Sequence, residues 1–306
     1  MGGSRGADRL GVDGRHALGE GRGRDRESPP GRLDASPRID LVDPLIGFDW
    51  ARHWRDLVER RVEQTGGPLQ TDFWTRRAGS YAVAPAEPAP PPDPVLSLLE
   101  PWLSPQRSLL DVGAGVGRHT VPLAERLAWV TAIEPSQAMR QRIPELANVT
   151  VIASTLEEAE PAPSELVLCS HVLYPIADAV GFLTGLEAAA TERVFVILRD
   201  APNPHPAELI AGPERVREPC LRDLFMLLRQ IGVTPEVSFW SQRGEQRWPN
   251  LEAALEDCRG RAGARWDEVR GREFLERELI RGEPDEGVLY RSPPYPVGAV
   301  HWRPRT

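Results

Sequence analysis

Between residues 108 and 198 the chain alternates short, nearly continuous apolar runs with longer stretches of helical periodicity. The runs are "SLLDV" (108–112), "WVTAIE" (129–134), "VTVIA" (149–153), "ELVLCS" (165–170) and "RVFVIL" (193–198). Unbroken apolar runs of this length read as strands buried on both faces, as in a parallel sheet covered by helices. The intervening "RHTVPLAERLA", "PSQAMRQRI" and "ADAVGFLTGLEAAA" read as helices. Strand–helix alternation of this kind predicts right-handed βαβ units and a doubly wound α/β sheet. "CLRDLFMLLRQIG" adds a helix with Gly232 at its C-terminal cap. "EVSFW" (236–240) and "AVHW" (299–302) complete a set of seven strand candidates.

The flanks differ from this core. In "IGFDWARHWRDLVERRVEQ" (46–64), Phe48, Trp50 or Ala51, Trp54, Leu57, Val58 and Val62 fall near helical spacing, and Gly66-Gly67 ends the pattern. "DFWTRRAGSYA" reads as a second short helix, and "APAEPAPPPDP" (84–94) is a stiff proline segment. Residues 1–36 are rich in Gly and Arg and almost free of aliphatic residues, so they are expected to be disordered. The division expected is a tail at 1–36, a helical cap and proline-rich linker at 37–94, and a main domain at 95–306. Within that domain, about 241–298 reads as a helical insertion, through "NLEAALEDCRGR" and "DEVRGREFLERELI".

Composition narrows the function classes. With 41% hydrophobic and 27% charged residues the chain reads as globular. Its net charge is −8 and all 37 basic residues are Arg, a balance that disfavours a nucleic-acid partner. Cys169, Cys220 and Cys258 lie far apart without metal-ligand spacing, so no metal is expected and a reduced, cytoplasmic protein is the simplest reading. Neither an apolar signal region nor an apolar run of roughly eighteen residues is present, so no membrane partner is expected.

The candidate chemistry lies in "LLDVGAGVGRHTVPLA" (109–124). In an open α/β sheet a ligand sits outside the carboxyl ends of the strands, and the loop after the first strand lies there. Glycines let the backbone take φ > 0 and let a ligand approach closely. The spacing is G-x-G-x-G, whereas the dinucleotide fingerprint G-x-G-x-x-G would need a glycine where Arg118 stands. Glu134 closes the second strand about twenty residues on, where an acid can accept both hydroxyls of a ribose.

These residues resemble the class I S-adenosylmethionine-dependent methyltransferases over about 72–199. "LLDVGAGVGRHTVPLA" looks like the first motif of that family and "AIEPSQAMR" like its second. "NVTVIASTLEE" looks like its third strand and adenine loop, and "ELVLCSHVLYPI" like its fourth strand. "DFWTRRAGSYA" is similar to the helix that closes over the cofactor in many small-molecule members. The resemblance implies a Rossmann-like seven-stranded fold with S-adenosyl-L-methionine as cofactor. Gly113, Ala114, Gly115 and Gly117 would pass the methionine part and ribose. Asp111 would orient that loop and reach the amino group, and Glu134 would bind the ribose with Pro135 beside the adenine. Ser170 and His171 would floor the site, while Arg77 and Tyr81 would cap the cofactor's carboxylate. Where many members carry an acid for the adenine amino group, this chain has Thr155, next to Leu156, with Glu157 two residues on.

Plainer readings stand beside these. Asp111 and Glu134 could be turn or cap residues, and His171 could be a packed core histidine. As a catalytic group, His171 would use a pKa near neutrality to take a proton from an oxygen or nitrogen nucleophile. An Asn/Asp-Pro-Pro-aromatic motif is missing from "CSHVLYPI", which disfavours nucleobase amine chemistry and leaves a small-molecule acceptor as the expectation. The competing functions are a non-catalytic cofactor-binding protein of the same fold and an NAD(P)-dependent oxidoreductase.

Overall fold

In the computed structural model, residues 47–65, 93–281 and 287–305 are described. The tail at 1–36, the second short helix with Arg77 and Tyr81, and the proline-rich stretch up to residue 92 lie outside them.

Seven strands form one sheet: β1 (Ser108–Val112), β2 (Trp129–Ile133), β3 (Val149–Ile152), β4 (Ser164–Ser170), β5 (Ala190–Arg199), β6 (Glu236–Gln242) and β10 (Tyr295–Trp302). Their order is β3-β2-β1-β4-β5-β10-β6. The first five run parallel, and β10 is antiparallel to both β5 and β6. All seven strand candidates are present, which makes the fold the expected Rossmann-like α/β class.

The continuous apolar runs follow from burial of both faces of the sheet. Successive side chains point to opposite sides of a strand, so Leu110, Val112, Val167, Cys169, Val194, Val196 and Leu198 line one core. Leu109, Leu166, Leu168, Phe195 and Ile197 line the other. The first core is covered by α1 (Trp50–Thr65), α6 (Ala179–Ala188) and α8 (Leu221–Gln230). The second is covered by α2 (Pro94–Leu99) and α3 (Thr120–Ala124) through Val95, Leu99 and Leu123.

Three helices depart from their expected form. In α1, Trp54, Leu57 and Val58 are buried as expected, but Phe48 precedes the helix and is 44% exposed. The helices expected over 118–128 and 135–143 shrink to α3 and α4 (Gln137–Arg140). After α3 the Arg126 N–H donates to Leu123 O, and the Ala128 N–H donates to Arg107 O, turning the chain into β2. Pro144 follows the turn that ends α4, where the residue before a proline is pushed out of helical geometry. Gly232 takes φ +86° just past α8, as expected of a helix terminus. Helix α5 (Leu156–Ala159) follows β3.

The insertion differs most. Besides α9 (Leu251–Ala262) and α10 (Glu268–Glu278), it contains β7 (Glu245–Trp248), β8 (Ile280–Arg281) and β9 (Val288–Arg291). These form an antiparallel sheet in the order β7-β9-β8. Strand β10 also begins inside the expected insertion, at Tyr295. The region is therefore a mixed α+β cap, and α7 (Pro206–Ala211), from the connection after β5, shares its core. Ala207, Ile210, Trp248, Ala254, Leu255, Cys258, Leu275 and Tyr290 make up that core. Asp257 knits it together, accepting from Trp248 Nε1 at 3.1 Å and Arg261 Nε at 3.1 Å, beside His205 Nε2 at 3.1 Å.

Candidate functional site

The parallel strands bring the loops after β1, β2, β3, β4 and β5 to one edge of the sheet, their carboxyl ends. The glycine loop there is fixed by backbone geometry. Gly113 and Ala114 donate to Ile133 O at 2.8 and 3.0 Å, tying the loop to the end of β2. Gly113 has φ +71°, and a Cβ on it would stand 2.4 Å from Val172 Cγ2. Gly115 has φ +59° but faces open space, with nothing within 4 Å of a Cβ. The first glycine thus serves packing against the loop after β4, and the second leaves bare backbone beside a free volume. Gly117 N–H returns to Ala114 O at 2.9 Å, while Ala114 packs on Ala132 and Ile143.

Two buried acids flank the loop. Asp111 is 2% exposed and accepts from Thr120 Oγ1 at 2.7 Å, so it pins the start of α3. Burial raises its pKa, opposed by His119 and the Thr120 hydroxyl. Glu134 is 7% exposed; its Oε2 accepts from Gly115 N–H at 2.9 Å and its Oε1 from Ser136 N–H at 2.8 Å. Its pKa is raised, chiefly by burial, against the pull of those two amides and Arg140. A carboxylate offers about four lone-pair positions, so each oxygen keeps capacity for one more donor. Pro135 is exposed beside it.

The loop after β3 separates its two expected residues. Thr155 occupies the N-cap position of α5 in extended geometry, with a side chain that makes no cap bond. Leu156 turns inward, 6% exposed, and joins the core beneath α6. Its side chain is a packing group, which leaves only its backbone facing the carboxyl edge.

His171 has φ +61°, a left-handed conformation uncommon for a residue with a Cβ. Its Nδ1 lies 2.8 Å from Tyr174 Oη, which accepts from the Arg199 N–H at 2.8 Å. The Arg199 guanidinium stacks 4.1 Å from the Tyr174 ring centroid and pairs with Glu218 at 2.5 Å. Burial, reinforced by the positive charges of Arg199, His119 and Arg118, pushes the His171 pKa down to about 3. This corrects the expectation of a near-neutral proton acceptor: enclosed among cations, the ring stays neutral and is a weak base. NMR titration of the imidazole should show no transition between pH 8 and 5. A native pKa below the unfolded value near 6.5 means the unfolded state takes up the proton first. This group therefore costs stability as pH falls below about 6.5, down to its native pKa. A resonance titrating near pH 6.5 would refute this environment.

Tyr174, Arg199 and Glu218 are site-edge residues that the sequence reading did not single out. Tyr174 had a visible signal in "CSHVLYPI"; Arg199 and Glu218 had none, since only the sheet brings them to this loop. A second grouping, Asp93, Arg118 and His119, lines a cleft with Ser170, His171, Trp240 and Gln242.

Comparison with known proteins agrees with this architecture. Residues 110–190 match the family described as "Methyltransferase domain". No curated protein matches the chain in sequence. Among solved structures, the chain is similar to magnesium protoporphyrin IX methyltransferase from Synechocystis PCC 6803 with bound SAM: 16% identity, 82% of this chain and 97% of that one covered, TM-score 0.39. It is also similar to a SAM-dependent methyltransferase from Aquifex aeolicus, at 21% identity, 48% and 81% covered, TM-score 0.38. The YcgJ protein of Bacillus subtilis aligns at 11% identity, 67% and 97% covered, TM-score 0.45. The motifs at 109–124 and 132–140 and the strand order accord with the methyltransferase domain that residues 110–190 match.

Proposed function

We propose that the protein transfers the methyl group of S-adenosylmethionine to an oxygen, nitrogen or carbon nucleophile of a small-molecule acceptor. The observation that carries the cofactor site is Glu134: a buried carboxylate bonded to the Gly115 amide, beside open space at a left-handed glycine. A Cβ at Gly115 would fill that space, and the spare lone pairs of Glu134 suit a vicinal diol, so the residues fit the nucleoside. In this reading Glu134 holds the ribose hydroxyls, Gly113, Ala114, Gly115 and Gly117 follow the methionine and ribose, and Asp111 holds the loop through Thr120. Pro135, Thr155 and the Leu156 backbone border the adenine, and Ser170 floors the site. Arg77 and Tyr81 belong to the same proposal.

When bound, the cofactor supplies an electrophilic methyl on a sulfonium. The protein's work is then alignment for in-line attack and exclusion of water. His171, neutral and bonded to Tyr174, orients the acceptor by hydrogen bonding; proton removal falls to solvent or to another group. The methyltransferase domain is taken as 95–306, with the insertion at 241–298 covering the acceptor. The missing Asn/Asp-Pro-Pro-aromatic motif in "CSHVLYPI" favours a small acceptor, and the free, buried cysteines suit the reducing cytoplasm.

Calorimetric titration with S-adenosylhomocysteine and with NADH tests the reading. Micromolar binding of S-adenosylhomocysteine alone is expected. Binding of NADH instead would replace it with the oxidoreductase reading, and binding of neither would reject the cofactor site.

A further inference from the structure

The cleft beside the glycine loop carries opposite charges at one end. Asp93 Oδ2 receives Arg118 Nη2 at 2.9 Å and Nε at 3.2 Å, while its Oδ1 accepts the Val95 N–H at 2.9 Å. His119 Nε2 stands 3.7 Å from the same Oδ2. It is enclosed, on a side chain only 10% exposed, and has no hydrogen-bond partner among the described residues. Burial alone would raise the Asp93 carboxyl, but His119, Arg118 and the Val95 amide hold it well below the usual carboxylate range. The Arg118 side chain is 59% exposed and free to swing. The space left between these groups, Ser170 and His171 is about 20 Å³. That is about the room of one water, so a ligand group enters only where the exposed Arg118 side chain gives way.

The geometry points to Asp93, Arg118 and His119 as the residues that read the amino-acid end of the cofactor, a specificity-determining set additional to the glycine loop. This rests on the cofactor reading above. Arg118 and His119 directly follow Gly117, so the cleft opens at the far end of the loop from Glu134, where the non-nucleoside part must emerge. An α-ammonium would replace Arg118 on Asp93, and the released guanidinium would share the α-carboxylate with the Arg77 and Tyr81 of the cofactor proposal. Two opposite charges exchange for two others, so no buried ion is left uncompensated. The enclosed Nε2 of His119 gains the partner it lacks. A neutral or singly charged acceptor group would leave one of the pair unmatched.

The test compares S-adenosylhomocysteine with 5′-methylthioadenosine, which shares the nucleoside and thioether but lacks the amino-acid end. Each is titrated into the unaltered protein and into Arg118→Gln, His119→Gln and Asp93→Asn. Charge-assisted hydrogen bonds of this kind make about a tenfold loss of S-adenosylhomocysteine affinity the expectation in Arg118→Gln, with methylthioadenosine within about twofold. Arg118→Gln keeps the test independent of folding, because that side chain is exposed. A loss shared equally by both ligands overturns the proposal in favour of a structural role. So does unchanged affinity for both, which would make the Asp93 pair a helix cap only. If the unaltered protein binds neither ligand, the cofactor reading itself fails and this proposal with it. If Glu134→Ala weakens both ligands while Arg118→Gln weakens neither, only the amino-acid assignment falls.

Discussion

Exchanging Glu134 for alanine should weaken S-adenosylhomocysteine binding by about 30- to 150-fold. The two hydroxyl donors share one carboxylate, and their joint loss is taken as that of a single hydrogen bond to a charged group, about 2–3 kcal/mol net. The substitution also releases the Gly115 and Ser136 amides, which Glu134 holds at 2.9 and 2.8 Å. Part of the loss therefore comes from a loop that no longer waits in its binding geometry. Glu134→Gln separates the two contributions. It keeps an oxygen for one amide but turns an NH₂ donor toward the other, and it should fall between the unaltered protein and Glu134→Ala. Calorimetric affinities alongside thermal melts read the result. An affinity within twofold of the original in a folded Glu134→Ala would remove this residue from the site.

The largest loss of stability is expected from Trp54→Ala. Trp54 is fully buried, joins the core formed with α6 and α8, and donates from Nε1 to Ile176 O at 2.8 Å. Removing a buried Trp costs about 3–5 kcal/mol through lost burial and the cavity left behind. The Ile176 carbonyl would also lose its partner, for about 1 kcal/mol or more if water fails to reach it. Trp54→Phe keeps most of the volume and isolates the second effect. Ile176 lies in the loop that begins with His171, so this bond ties α1 to a wall of the site. Urea denaturation should show the alanine variant far below the phenylalanine one. A difference from the unaltered protein under about 1 kcal/mol would mean that α1 contributes little to the fold.

The parts of the molecule legible in the sequence are those whose cause is local. A strand buried on both faces must be apolar at every position, so β1 to β5 announce themselves. The glycine loop and Glu134 are visible because turn chemistry and strand ends follow chain order. What tertiary contact decides stays hidden. The proton affinity of His171 is set first by burial, then by Arg199 at the end of β5 and by His119 and Arg118 after β1. Val172 makes Gly113 indispensable from another loop. Leu156 follows the third strand at the carboxyl edge, yet its apolar side chain turns into the core. Strands β7 and β9 are four residues each and pair across two intervening helices, so neither carries a periodicity long enough to read.

The chain leaves the sheet twice, after β5 and after β6, to assemble one cap with a single core. Neither excursion holds that core alone: Ala207 and Ile210 come from the first, and Trp248, Leu255 and Leu275 from the second. On the proposal that this cap covers the acceptor, acceptor preference cannot change by recombining one loop, which would bare half an apolar interior. Divergence must proceed by paired replacement, or by point changes on the surface facing β4 and β5. The cofactor end, built from other loops, is spared in either case.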